Sequence, residues 1–242
     1  MNSSKNQVSV FSDSKNHYEI LDGLRGVAAV MVVVFHLLEP FAGGSHHKQI
    51  INHGYLAVDF FFVLSGFVIG YAYDDRWGKM TVGGFFKRRL IRLHPMIILG
   101  MIFGAIGFYF SASPEVWPGI SEVPVWKMLL VMVIGFTLIP VPGSMDIRGW
   151  GEMHPLNGPA WSLFFEYVAN ILYALFIRKF SNKALAFLVF LAGSALIHLA
   201  VTSSNGDIIG GWSLEPAQLR IGITRLIYPF FAGLLLSRIS KP

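Results

Sequence analysis

The chain has no cysteine among its 242 residues. That excludes disulfides, thiolate metal centres and any cysteine-linked covalent intermediate, and it leaves the redox compartment unread. Charge is scarce too: Asp, Glu, Lys and Arg make up 14% against 54% hydrophobic residues, with a mean hydropathy of +0.56. Water-soluble domains carry about a quarter charged residues, so this is a membrane protein. Strand-like alternation is also missing. Apolar residues come instead as continuous runs at 21–38, 55–73, 93–110, 123–141, 160–177, 184–201 and 217–236. Most approach the roughly 20 residues that a helix needs to cross a bilayer. A closed barrel would alternate, and lipid leaves the backbone no third way to pair its polar groups. The fold class expected is all-α, a polytopic transmembrane helical bundle of six or seven spans.

A net charge of +5 raises the question of nucleic acid, but the cations gather near helix ends, above all between Arg76 and Arg92. Membrane topology explains that distribution, so no nucleic-acid partner is expected and the lipid bilayer is. Residues 1–18 are polar and lack the charged-then-apolar order of a cleavable signal. They read as a disordered cytoplasmic tail ahead of a membrane domain at 19–242.

The stretch "YDDRWGKMTVGGFFKRRLIRLH" carries six Lys or Arg, whereas segments 39–54, 111–125 and 202–216 carry only Lys48 among them. The basic loop therefore belongs in the cytoplasm with the N-terminus. "IRKFSNK" and the C-terminal "SRISK" read as cytoplasmic as well, which requires an even number of crossings from seven apolar runs. Run 123–141, bounded by Pro124 and Pro140 and followed by a Pro- and Gly-rich stretch, is expected to be re-entrant or buried in protein. Seven crossings with an external C-terminus is the alternative.

In "LRGVAAVMVVVFH" an arginine and a histidine bracket an uncharged run. Eleven helical steps turn by about 1100°, roughly 20° past whole turns, and rise about 16 Å. Arg25 and His36 thus share a face, with Arg25 near the cytoplasmic end and His36 about half a bilayer further out. Two readings are open: Arg25 snorkels to headgroups while His36 makes an interhelical hydrogen bond, or both line a functional interior. Further polar residues favour the second. "VDFFFVLSGF" places Asp59 near the depth of His36, where a carboxylate can orient an imidazole, with Ser65 further along. "FFKRRLIRLHP" stacks Lys87, Arg88, Arg89 and Arg92 at a helix entrance. Some of these serve topology, but Arg89 and Arg92, at i and i+3, can also fork onto a pyrophosphate. In "NGPAWSLFFEY", Asn157 or Gly158 is a candidate helix cap, Pro159 suits the first turn, and Glu166 falls within an apolar run, where a carboxylate is costly.

Taken in order, Arg25-x10-His36, "DxFFxxSGF", "RRxxRxxP" and "WSLxxE", with "RLIYPFFAGLLL" later, resemble the acyltransferase 3 family of bacterial integral membrane acyltransferases over about 18–238. The resemblance implies transfer of an acyl group, commonly acetyl from acetyl-CoA, onto a carbohydrate or other acceptor at the bacterial inner membrane. It implies that His36 is the catalytic base or a transient acyl carrier with Arg25 as its partner. Arg89 and Arg92, with Arg88 and Lys87 beside them, would hold the CoA phosphates, and Glu166 and Asp59 would complete the site. A thioester is already activated, so an imidazole that takes the acceptor's proton suffices. His94 stands where the family commonly has an aromatic residue before the proline. The family also has more helices than this chain, which reads as a C-terminally truncated or compact form. Two other classes stay open: a transporter using Arg25, His36 and Glu166 as an ion path, and an inactive relative.

His46, His47 and His53 lie in a polar external loop, and because adjacent histidines seldom chelate one ion, no metal is expected. His198 and Arg220 read as interfacial or interhelical partners, and Arg225 as the arginine better placed to enter a functional cavity.

Overall fold

The computed structural model describes residues 18–111 and 118–240. The tail expected at 1–18 falls, but for Tyr18, outside the described residues. So does the middle of the external segment expected at 111–125. Among the described residues there is no strand. The helices are α1 (Glu19–Leu38), α2 (Ala57–Tyr73), α3 (Val82–Ser111), α4 (Pro118–Ser121), α5 (Val125–Phe136), α6 (Ala160–Leu175), α7 (Asn182–Thr202) and α8 (Pro216–Ile239), with short 3₁₀ turns between them.

Each boundary has a local cause. Helix α1 opens with Glu19 and Asp22 in its first turn, which favours the positive end of the helix dipole, and stops ahead of Pro40. Helix α7 is capped by Ser181, whose Oγ accepts the Ala184 N–H at 3.2 Å. Helix α6 departs from the expected cap. Its cap position is Pro159, and backbone carbonyls of Asn157, Gly158 and Pro159 accept the first N–H groups, so no side chain is needed.

Two sets of contacts define the ends of the bundle. At one end, Tyr18 meets Tyr71, with ring centroids 5.1 Å apart. There Asp74 accepts from Arg238 Nε at 2.7 Å and from the Tyr173 hydroxyl at 2.7 Å. Arg238 also donates to the Phe180 carbonyl, and the Arg178 guanidinium lies 4.1 Å over the Trp77 ring. The three basic segments expected in the cytoplasm are therefore together. At the other end Phe35 packs on Tyr55, Arg225 donates to the carbonyls of Tyr55 and Gly210, and Met153 N–H donates to Trp212 O. Helices α1, α2, α3, α6, α7 and α8 each run between these ends.

Helix α5 does not. Its 12 residues rise about 18 Å, against a hydrocarbon core of about 30 Å. It packs on α3, where Gly135 meets Met101, and turns back at Leu138, whose φ of 60° is left-handed. The following segment, 138–159, buries Leu138, Val141, Ile147 and Leu156 in protein. Six helices that run between the ends, with α5 turning back, agree with the parity expected of the basic segments. Among the described residues, five helices are long and apolar enough to cross a membrane. The sixth helix that runs between the ends, α6, has only 16 residues, but Trp161, Phe165, Ala169 and Tyr173 are buried along it, so protein rather than lipid surrounds that face.

The core joins α2, α6 and α8 through Phe62, Ile69, Phe165, Tyr173 and Phe230. Gly66 and Gly70 of α2 face Phe230, Leu234 and Ser237 of α8, while Gly233 of α8 faces the Val63 carbonyl. Small residues let these two backbones touch. Helices α1, α3 and α7 turn Val27, Val30, Phe103, Phe187 and Phe190 outward, as lipid-facing helices do.

Candidate active site

A cavity of about 530 Å³ opens between α1, α2, α3 and α6. Its volume is that of a small-molecule site, and its walls are mostly apolar. Arg25 and His36 both line it, as the shared helical face requires, together with Ser65, Arg89, Arg92 and Glu166. Arg25 and His36 of α1, Ser65 of α2, Arg89 and Arg92 of α3 and Glu166 of α6 thus converge on one space.

His36 Nδ1 lies 3.1 Å from Glu39 Oε2, and its side chain is 49% exposed. A carboxylate can only accept, so Nδ1 carries the proton in the neutral ring and Nε2 is left with its lone pair. Arg25 reaches Asp22 at 2.9 Å rather than His36. The expectation that Asp59 orients His36 is corrected here. Asp59 accepts from Nε and Nη2 of Arg225, at 2.6 Å for the shortest contact, and does not line the cavity. Arg225 is 1% exposed, its other N–H groups go to the Gly210 and Tyr55 carbonyls, and it lies between the Tyr55 and Trp161 rings. It fastens the loops behind the cavity and is not in the lining.

Glu166 is paired. Arg89, 2% exposed, donates to Glu166 Oε1 at 2.5 Å, and the Ser65 hydroxyl donates to the same oxygen at 2.6 Å. One carboxylate thereby ties α2, α3 and α6 together at the cavity wall. Arg92, one turn from Arg89, lines the same cavity. Lys87 and Arg88 are exposed and outside the lining.

Two residues of segment 138–159 escaped the sequence reading. Glu152 is largely buried and its Oε2 has no partner. Burial pushes its carboxyl up to about 7; Arg148 opposes this, Asp146 and Glu39 add to it, and His36 opposes it. A carboxyl that feels His36 and Glu39 and holds a proton near neutrality belongs to the electrostatics of the site. His154, 2% exposed with neither ring nitrogen partnered, is pulled down to about 4 by burial. Nothing in the local pattern "GEMHP" marks either residue, whereas Glu39, three residues after His36, was in plain view.

A family model described as an acyltransferase domain matches residues 18–242. The chain is 36% identical over 161 residues to protein 2 in the picA locus of Rhizobium radiobacter, covering 64% of this chain and 80% of that protein. It is 30% identical over 167 residues to the acyltransferase MdmB of Streptomyces mycarofaciens, covering 65% and 38%. With the O-acetyltransferase OatA of Staphylococcus aureus it shares 25% over 225 residues, covering 88% and 35%. The chain thus spans little more than a third of the length of the last two. No solved structure gives a significant match. The family match takes in every helix that builds the cavity, and the chain belongs to the acyltransferase 3 family of multi-pass membrane proteins.

Proposed function

We propose that the chain transfers an acyl group, acetyl first among them, from acyl-CoA to a hydroxyl of a carbohydrate or other cell-envelope acceptor. Its place is the bacterial inner membrane, with the N-terminus in the cytoplasm. The observation that carries this reading is the one cavity that His36 and Arg25 share with Arg92. The name of the similar O-acetyltransferase OatA favours a hydroxyl acceptor.

In this reading His36 is the base or the transient acyl carrier, and either role uses the Nε2 lone pair that Glu39 leaves available. As base, the imidazole takes the acceptor hydroxyl's proton while the oxygen attacks the thioester carbonyl. The carbon–sulfur bond then breaks and the proton passes to the departing thiolate. Arg92, with Lys87 and Arg88 at the rim, meets the CoA phosphates as charge-assisted donors. Arg89 keeps its Glu166 partner and holds the wall that presents Arg92. Arg25 adds positive charge to the same cavity.

The test is acetyl-CoA consumption by the purified protein with a panel of envelope glycans. His36→Gln keeps a hydrogen-bonding amide but cannot accept a proton near neutral pH, so turnover should fall by about 10²- to 10⁴-fold with acyl-CoA affinity retained. Arg92→Gln should instead weaken acyl-CoA binding by about tenfold or more. A folded His36→Gln protein with near-normal turnover rejects the catalytic role.

A further inference from the structure

At the His36 end of the bundle the loop after α1 meets the loop after α7. His46 and His47 sit on a 3₁₀ turn, His46–Lys48. Asp207 arrives from far along the chain with only 8% of its side chain exposed. Nε2 of His46 lies 3.0 Å from Asp207 Oδ2, and Nε2 of His47 lies 3.5 Å from the same oxygen. One donor atom from each residue lies within 4.8 Å of the others.

Those separations fit a shared ion. With bonds of about 2.0 to 2.2 Å, neighbouring donors on a transition cation stand roughly 3 to 3.5 Å apart. His46 Nε2 and Asp207 Oδ2 are both shielded from solvent, yet neither completes a hydrogen bond despite being 3.0 Å apart. The ring nitrogen therefore points past the oxygen instead of along the line between them. The other carboxylate oxygen, Oδ1, accepts the Ile209 N–H at 3.3 Å, which orients the group. The 3₁₀ turn brings the two imidazoles to 3.9 Å between centroids, so adjacent histidines here present Nε2 to the same side. Tyr55 packs edge-on against His46, and Arg225 bonds to Tyr55 and Gly210, one in each loop. The donors thus stand on a braced frame.

We propose that His46, His47 and Asp207 bind a divalent transition cation of the zinc class, which clasps the two loops. Two imidazoles and one carboxylate select zinc, cobalt, nickel or copper over calcium and magnesium, which prefer oxygen donors throughout. Three protein ligands leave a position for water. The absence of metal expected from the histidine spacing overlooked the carboxylate, which joins only through the fold.

The test uses tag-free, chelator-treated protein in detergent, titrated with Co²⁺ and then Zn²⁺. One equivalent of Co²⁺ should bind with visible absorption bands and be displaced by Zn²⁺. His47→Gln alters an exposed ring, so the fold should survive, and Asp207→Asn removes the charge; each should weaken binding by about tenfold or more. Zn²⁺ should raise the unfolding temperature of the native protein but not of the variants. No saturable binding, or binding unchanged in both variants, overturns the site.

Discussion

Glu166 sits within an apolar helix, where a lone carboxylate is costly to bury. Arg89 and Ser65 converge on one of its oxygens and make the charge tolerable. Asp59 is handled in the same way by Arg225. Glu152 has no such donor for Oε2, and it responds by keeping its proton. It holds that proton up to about pH 7 when folded, against an ordinary 4.5, so stability falls as pH rises through this window. His154 has the opposite sign. Its folded value of about 4 lies below the ordinary 6.5, so stability is lost as pH falls from 6.5 toward 4. Each effect amounts to about 3 kcal/mol across its window, and in the overlap the two cancel. Glu152→Gln should therefore make the protein acid-sensitive below about pH 6.5, and His154→Leu should make it lose stability as the pH rises toward 7. Thermal unfolding in detergent from pH 4 to 7.5 checks this, and pH slopes of the same sign in both variants would refute it.

Among the elements, α2 and α8 depend on glycine at two facing positions. A Cβ on Gly66 would run into the Phe230 carbonyl, and one on Gly233 into the Val63 carbonyl. Neither obstacle is a flexible side chain, so the helices must separate. Gly66→Ala and Gly233→Ala should each cost about 1 to 3 kcal/mol or more, as overpacking does. Gly26→Ala on α1 meets nothing within 4 Å and serves as the control. It should be neutral or slightly stabilising, because alanine is the better helix former. Equal unfolding temperatures for all three variants would mean that the α2–α8 approach is not tight. The "SGFVIG" run was visible as sequence, but the partner that makes its glycines necessary was not.

For the whole molecule, the contacts at the two ends make a topology that labelling can read. The native chain has no cysteine, so single cysteines report cleanly. Positions Asn182 and Ser240 belong to the end with the basic segments, and Ser204 to the opposite end. The first two should be labelled from the cytoplasmic side and the third only from the outside. Labelling of Asn182 and Ser240 from outside would require α5 to cross and would reverse the later helices. The arrangement also puts Glu39, Glu152 and the His46–His47–Asp207 group at the His36 end, which the positive-inside rule assigns to the outer side.

Sequence by itself determined what depends on local composition and period. Continuous apolar runs specify membrane helices, the 3.6-residue turn puts Arg25 and His36 on one face, and the distribution of Lys and Arg orders the basic segments. Proline at both ends of 123–141 marked the run whose helix is too short to reach from one end of the bundle to the other. Tertiary structure alone decided which charges meet. Asp59 went to Arg225 rather than His36, Arg89 went to Glu166, and Asp207 came to His46 and His47. The physical reason is one of range. A buried charge must find a partner of opposite sign within a few ångströms, and which residue stands that close is set by how helices far apart in the chain pack together.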